Sequence, residues 1–175
     1  PRVYEVGVET MRDYLTHAYT AHGVSTEAVG YTSFGWLWGS PALAAMTRRG
    51  EDLIAMDRYR AIPAWQLQTM IPGLDRWNSP GDGGSHAPTY HELMVRKFFY
   101  PDDPTTDAVY AEVAAQLLER GDRGHFTLID ALVFADDADR DPGGAAEAGA
   151  ELGLSTTFTD PGRGLMIARD RWSEA

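Results

Sequence analysis

Asp130 is the one charged side chain in the alternating run Phe126, Leu128, Asp130, Leu132, Phe134. Period-two alternation puts all five on one side of a strand, where an ionised carboxylate is costly unless it is paired, protonated or set in a cavity. Two readings follow. As a functional group, Asp130 is a general base or ligand anchor whose pKa burial raises. As a structural group, it is bonded to an arginine or to backbone at a bulge, and Arg96 on the strand expected beside it is the natural counter-charge. His125 opens the same strand and His91 lies 34 residues earlier. Together with Tyr31 they complete a set able to move a proton and hold an oxyanion. Asp130, His125, His91, Tyr31 and Arg96 are therefore the expected catalytic residues.

Other groupings compete with this one. His86, His91, Glu92 and His125 suggest a His, His, carboxylate metal site. Neighbours on a strand point to opposite faces, however, so only one of His91 and Glu92 can join His125. The aromatics Phe34, Trp36, Trp38, Trp65 and Trp77 either line a pocket for a flat ligand or form core. Arg48, Arg49, Arg58 and Arg60 grip a carboxylate or form a solvated face. The run Gly81-Asp82-Gly83-Gly84 lacks the Lys-Ser or Lys-Thr of a phosphate loop. With no cysteine, the chain has no disulfide, thiol nucleophile or Cys-held metal.

These residues require elements to carry them. Arg2 to Glu9 reads as a strand, Thr10 as the cap of a helix running through Met11, Tyr14, Leu15, Ala18 and His22 to Gly23, and Val29 to Trp38 as a second strand. A helix follows from Ser40 and Pro41 to Gly50. Leu53 to Ile62 is open between strand and helix, and Pro63 to Pro72 holds a helical turn. After the Gly/Pro-rich loop 79–88 the plan repeats: a strand over Tyr90 to Tyr100, a helix opened by Asp103 and Pro104 with Val109, Val113 and Leu117 on one stripe, and a strand over His125 to Phe134. A short helix at Ala145 to Leu152 precedes a hairpin of Ser155 to Thr159 and Leu165 to Ala168 around Asp160-Pro161-Gly162. The expectation is one domain over 1–175, with halves of about 1–80 and 88–175.

Two strand, helix, strand units imply an α+β sheet with helices on one face. The openings Val3-Tyr4-Glu5-Val6 and Tyr90-His91-Glu92-Leu93-Met94-Val95-Arg96 resemble the first strands of ferredoxin-like dimeric α+β barrel proteins, among them the NIPSNAP and antibiotic-monooxygenase-like families. That resemblance implies a split sheet covered by a partner half or a second subunit. It carries over no functional residue. Pro1 is similar to the first residue of tautomerase-superfamily proteins, in which the proline amine is the catalytic base or acid, although the helix here is shorter than theirs.

Composition narrows the partners. A net charge of −11, with 14 Arg and one Lys among the basic residues, opposes binding to nucleic acid. No window reaches the roughly 18 uninterrupted apolar residues of a membrane span, and a soluble, cytoplasmic chain is expected. The exposed apolar face of Phe34, Trp36 and Trp38 predicts a homodimer. The function expected is acid/base chemistry, without a cofactor, on a small aromatic or polyketide-like molecule, by a cyclase, isomerase or cofactor-free monooxygenase. The alternatives are a metal- or haem-dependent oxidoreductase with histidine ligands and a non-catalytic module for a small ligand.

Overall fold

The computed structural model describes residues 2–27, 29–71, 76–77, 93, 96–98, 100, 102–110 and 150–172. Three helices lead: α1 over Arg2–His17, α2 over Val29–Arg48 and α3 over Asp57–Thr69. Two short antiparallel ladders follow. Strands β1 (Met70–Ile71) and β2 (Arg76–Trp77) pair Met70 with Trp77, and β3 (Thr157–Asp160) and β4 (Leu165–Ala168) pair Thr157 with Ala168 and Asp160 with Leu165.

The N-terminal segment is helical where a strand is expected. Its β-branched residues favour a strand locally, but Val8 and Leu15 are buried and Tyr4, Met11 and Ala18 pack on the same core. Those five positions recur at helical spacing, and burial along that stripe outweighs a β-propensity spanning only about 1 kcal/mol. The second expected strand is likewise helix α2. Phe34, Trp36 and Trp38 alternate like a strand, yet only Trp36 is buried, with Val29, Thr32, Ser40 and Leu43 on its face. Thr32 and Ser40 break the apolar stripe and hide its period. Pro41 lies inside α2 rather than at the start of a helix, on the exposed side, and its ring nitrogen gives no hydrogen bond to the carbonyl one turn back.

Helix α3 resolves the open stretch 53–62, with a turn over 52–55 before it and Pro63 inside. Residues 93 and 96–98 are helical, so the long strand expected over Tyr90 to Tyr100 is not formed there. Residues 104–110 form the expected helical stretch. Asp103 caps it by accepting from the Thr105 N–H at 3.2 Å and the Thr106 hydroxyl at 2.5 Å. The closing hairpin forms where the turn residues place it. Pro161 takes the first corner, the Arg163 N–H donates to the Asp160 carbonyl at 3.2 Å, and Gly164 adopts φ +62. The strand, helix, strand opening of the first half is absent, and the described residues, helices with two-stranded ladders, do not show a ferredoxin-like barrel.

Antiparallel packing of α1 and α2 builds the core. Gly7 lies beside Met46, Gly39 beside Met11, and Gly35 beside Tyr14, whose hydroxyl is 3.1 Å from the point a Cβ would occupy. Between the helices Trp36 is fully buried, donates its indole N–H to the Tyr19 hydroxyl at 2.6 Å, and meets Tyr14 and Tyr59 edge-on. A second cluster, Leu67, Met70, Leu93, Ala108, Val109 and Trp172, joins the end of α3 to the residues after β4.

Candidate functional site

Asp130, His125 and His91 lie outside the described residues, as do Pro1, His86 and Glu92. The other two expected residues are found in different settings. Tyr31 is on the outer face of α2, 54% exposed. Arg96 is fully buried and helical, with its guanidinium over the Tyr59 ring at 3.7 Å. An aromatic face stabilises a cation placed over it; the expected pairing of Arg96 with Asp130 lies outside the described residues. Among the described residues no group of three or more His, Asp or Glu could hold a metal ion.

The structure assembles instead a cluster of Asp160, Thr20 and His22. The loop after α1 is closed by its own backbone: Thr20 N–H donates to Val24 O at 2.9 Å and Thr26 N–H to Ala18 O at 2.8 Å. Thr20 Oγ1 accepts from the N–H groups of His22 and Val24, each at 3.2 Å, and donates to Asp160 Oδ2 at 2.5 Å. His22 Nδ1 lies 3.2 Å from the same oxygen. On the other side of the carboxylate, Oδ1 accepts the Arg163 N–H at 2.8 Å. The Asp160 side chain is wholly buried, whereas that of His22 is 54% exposed.

Burial pushes the Asp160 pKa upward, but the bonds from the Thr20 hydroxyl, the Arg163 N–H and the His22 imidazole outweigh it and hold the carboxyl below its usual 3.8. An ionised carboxylate on Nδ1 selects the tautomer with the proton there and leaves Nε2 as the basic nitrogen. Thr20 and His22 both address Asp160, so the carboxylate is the hub. This order differs from a nucleophile, base, acid relay, in which the hydroxyl would meet the imidazole. What the arrangement can do is transfer a proton.

Gly23, next to His22, has φ +73, and a Cβ there would strike the backbone of Ala61 and Ile62. The turn bearing His22 is thereby pressed onto α3 at a residue that also lines an open cleft of about 730 Å³. Asp57, Arg60, Ala61, Tyr100, Asp102, Asp103 and Pro104 form its walls. Asp103 is engaged in capping, and the Tyr100 hydroxyl donates to the Ile54 carbonyl. Burial raises the Tyr100 pKa against the lowering influence of Arg60 and Arg96. Arg60 sits 5.5 Å over the Tyr100 ring and is the cation of the cleft.

Sequence reasoning missed this cluster. Asp160 reads only as a turn residue before Pro161, and His22 only as the last member of a helical stripe. The signal present was the aspartate at the first turn position, whose side chain commonly accepts a nearby N–H; nothing in the sequence joins it to a threonine 140 residues earlier. Comparisons with protein-family models, with characterised proteins and with solved structures find no match for this chain. The resemblance to dimeric α+β barrel proteins therefore rests on the few residues quoted above.

Among the described residues no helix is long and apolar enough to cross a membrane.

Proposed function

We propose that the chain performs acid/base chemistry on a small aromatic or polyketide-like carbonyl compound, with His22 as the proton-transfer group. The observation that carries this reading is the wholly buried Asp160 carboxylate 3.2 Å from Nδ1 of a half-exposed imidazole. His22 Nε2 removes a proton from the carbon beside the carbonyl. The C–H electron pair becomes an enolate whose charge rests on oxygen, and return of the proton to that oxygen, or to the γ-carbon where a neighbouring C=C makes the enolate a dienolate, completes an isomerisation without a cofactor. The cleft has the volume usual for small-molecule sites, about 300–1,000 Å³. Ala61, which Gly23 touches, links the cleft wall to the His22 turn; His22 itself is not among the residues that line the cleft, and Arg60 stands there beside Asp57, Asp102 and Asp103.

The test is exchange of solvent deuterium into a panel of small aromatic ketones and diketones, followed by proton NMR. The wild-type chain is expected to accelerate exchange for at least one of them, and His22→Gln to reduce that rate by about 100-fold or more with the circular dichroism unchanged. Equal rates for the two chains would remove His22 from the reaction. A binding-only reading is favoured by one observation: the Thr20 hydroxyl is spent on Asp160 and offers no nucleophile. It predicts saturable quenching of tryptophan fluorescence by the same compounds, lost in Arg60→Ala, with no exchange above the buffer rate.

A further inference from the structure

We infer that α2 is the interface of a homodimer and that two copies pair antiparallel along its outer face. The outer face consists of Tyr31, Phe34, Trp38, Pro41, Ala45 and Arg48, the exposed positions of the helix. Their spacing alternates three and four residues throughout, the pattern of a seam packed against another helix. Tyr31, Phe34 and Trp38 are 54%, 64% and 71% exposed. With Trp36 and Leu43 buried on its inner side as well, α2 carries large apolar side chains on two opposite faces, unlike a surface helix with a single apolar stripe.

Charge and shape select a second copy as the occupant. Residues 29–47 contain no charged side chain, in a chain of which 23% is charged and whose net charge is −11. A net charge of −11 opposes self-association overall, and this face brings no acidic side chain into the contact. The face is also complementary to itself in one direction. Its first half carries three large aromatics and its second half Pro41 and Ala45. A twofold axis midway between Trp38 and Pro41 sets Trp38 against the partner's Pro41 and Phe34 against the partner's Ala45, bulky on small. Tyr31 meets the partner's Arg48, a cation–π pair, where Arg48 already lies 5.3 Å from the centre of the half-exposed Phe98 ring. A parallel pair would oppose aromatic to aromatic and leave a gap at Ala45.

From their exposed fractions the three aromatics offer about 400 Å² per copy, so roughly 800 Å² for the pair. Pro41, Ala45 and Phe98 extend this toward the roughly 1,000 Å² of a specific interface. A concentration-dependent dimer is the expected species.

The test uses the whole chain. Sedimentation over a dilution series is expected to show dimer passing to the 19.3 kDa monomer, with Trp38→Glu and Ala45→Glu each monomeric at the highest concentration and unchanged in circular dichroism. Because the chain has no cysteine, single replacements report register without background. A mixture of Phe34→Cys and Ala45→Cys chains is expected to oxidise chiefly to the mixed disulfide. Cross-linking of Phe34→Cys mainly to itself would overturn the antiparallel register. A monomeric wild type in which Trp38→Phe removes no acrylamide-quenchable share of the tryptophan emission would show that the chain covers this face itself, and a dimer untouched by both glutamates would place the interface elsewhere. Either result overturns the inference.

Discussion

The hairpin of β3 and β4 has a buried anion at one end and an arginine with buried donors at the other, and the fold treats them differently. Asp160 receives a hydroxyl, a backbone N–H and an imidazole. Arg169, one residue past β4, donates from Nη2 to the Gln68 carbonyl at 2.6 Å and lies over the Trp172 ring at 3.8 Å, while its Nε and Nη1 are buried with no hydrogen-bond partner among the described residues. Burial pushes its pKa down, and delocalisation lets the guanidinium tolerate an aromatic face where a carboxylate needs donors. The anion holds its surroundings in place through directed bonds. The cation is held chiefly by packing.

If that contrast is right, Asp160→Ala has the largest effect. It strands the Thr20 hydroxyl, the Arg163 N–H and the imidazole, and should cost about 3 kcal/mol in urea unfolding. A loss under about 1 kcal/mol would mean the cluster holds nothing together. Gly23→Ala should come next, at about 2 kcal/mol, because a positive φ and contact with the α3 backbone leave no room for a methyl group. It attacks the loop without touching the carboxylate, and so separates the scaffold from the charge.

The pH dependence belongs to the anion. A carboxyl whose folded pKa lies below its usual 3.8 contributes stability that is present above that value and is lost as pH falls through the folded pKa. Urea midpoints should therefore drop below about pH 4, with a shallower slope in Asp160→Asn. Thr20→Val, which removes one donor at nearly constant volume, should cost about 1 kcal/mol and make that acid loss smaller, ending at a higher pH, because the folded pKa moves up toward the unfolded one. The smallest effect is expected at the cation. Arg169→Met keeps much of the contact with Trp172 while removing buried unpartnered donors, and should fall within about 1 kcal/mol of wild type in either direction. A large loss there would show that the arginine's charge matters.

How much of this was legible follows the range of the interactions. The β3 and β4 hairpin could be read because turn chemistry is local to Asp160, Pro161 and Gly162, and the helical stretch 104–110 because Asp103 and Pro104 announce its start. Helices α1 and α2 could not. Val3, Val6 and Val8 prefer strands in isolation, and the alternation of Phe34, Trp36 and Trp38 repeats on a helix as one buried ring between two exposed ones. Tyr31, expected to serve proton transfer, lies on the outer face of α2, and Arg96, expected opposite Asp130, stacks on Tyr59, while Asp130 lies outside the described residues. Neither setting could be found without knowing which helices meet.

The bond between Thr20 and Asp160 joins positions 140 residues apart, and it bears on the order in which the chain assembles. A hairpin closes in about 1–10 μs from its own turn. Bringing it to the loop after α1 carries the closure entropy of nearly the whole chain, which grows as the logarithm of loop length and is met before the contact gives any return. Docking of the hairpin is then expected to be a late event, after the barrier to folding. Substitutions at Asp160 should speed unfolding while leaving the refolding rate nearly unchanged, so this carboxylate governs how long the native state lasts more than how fast it is reached.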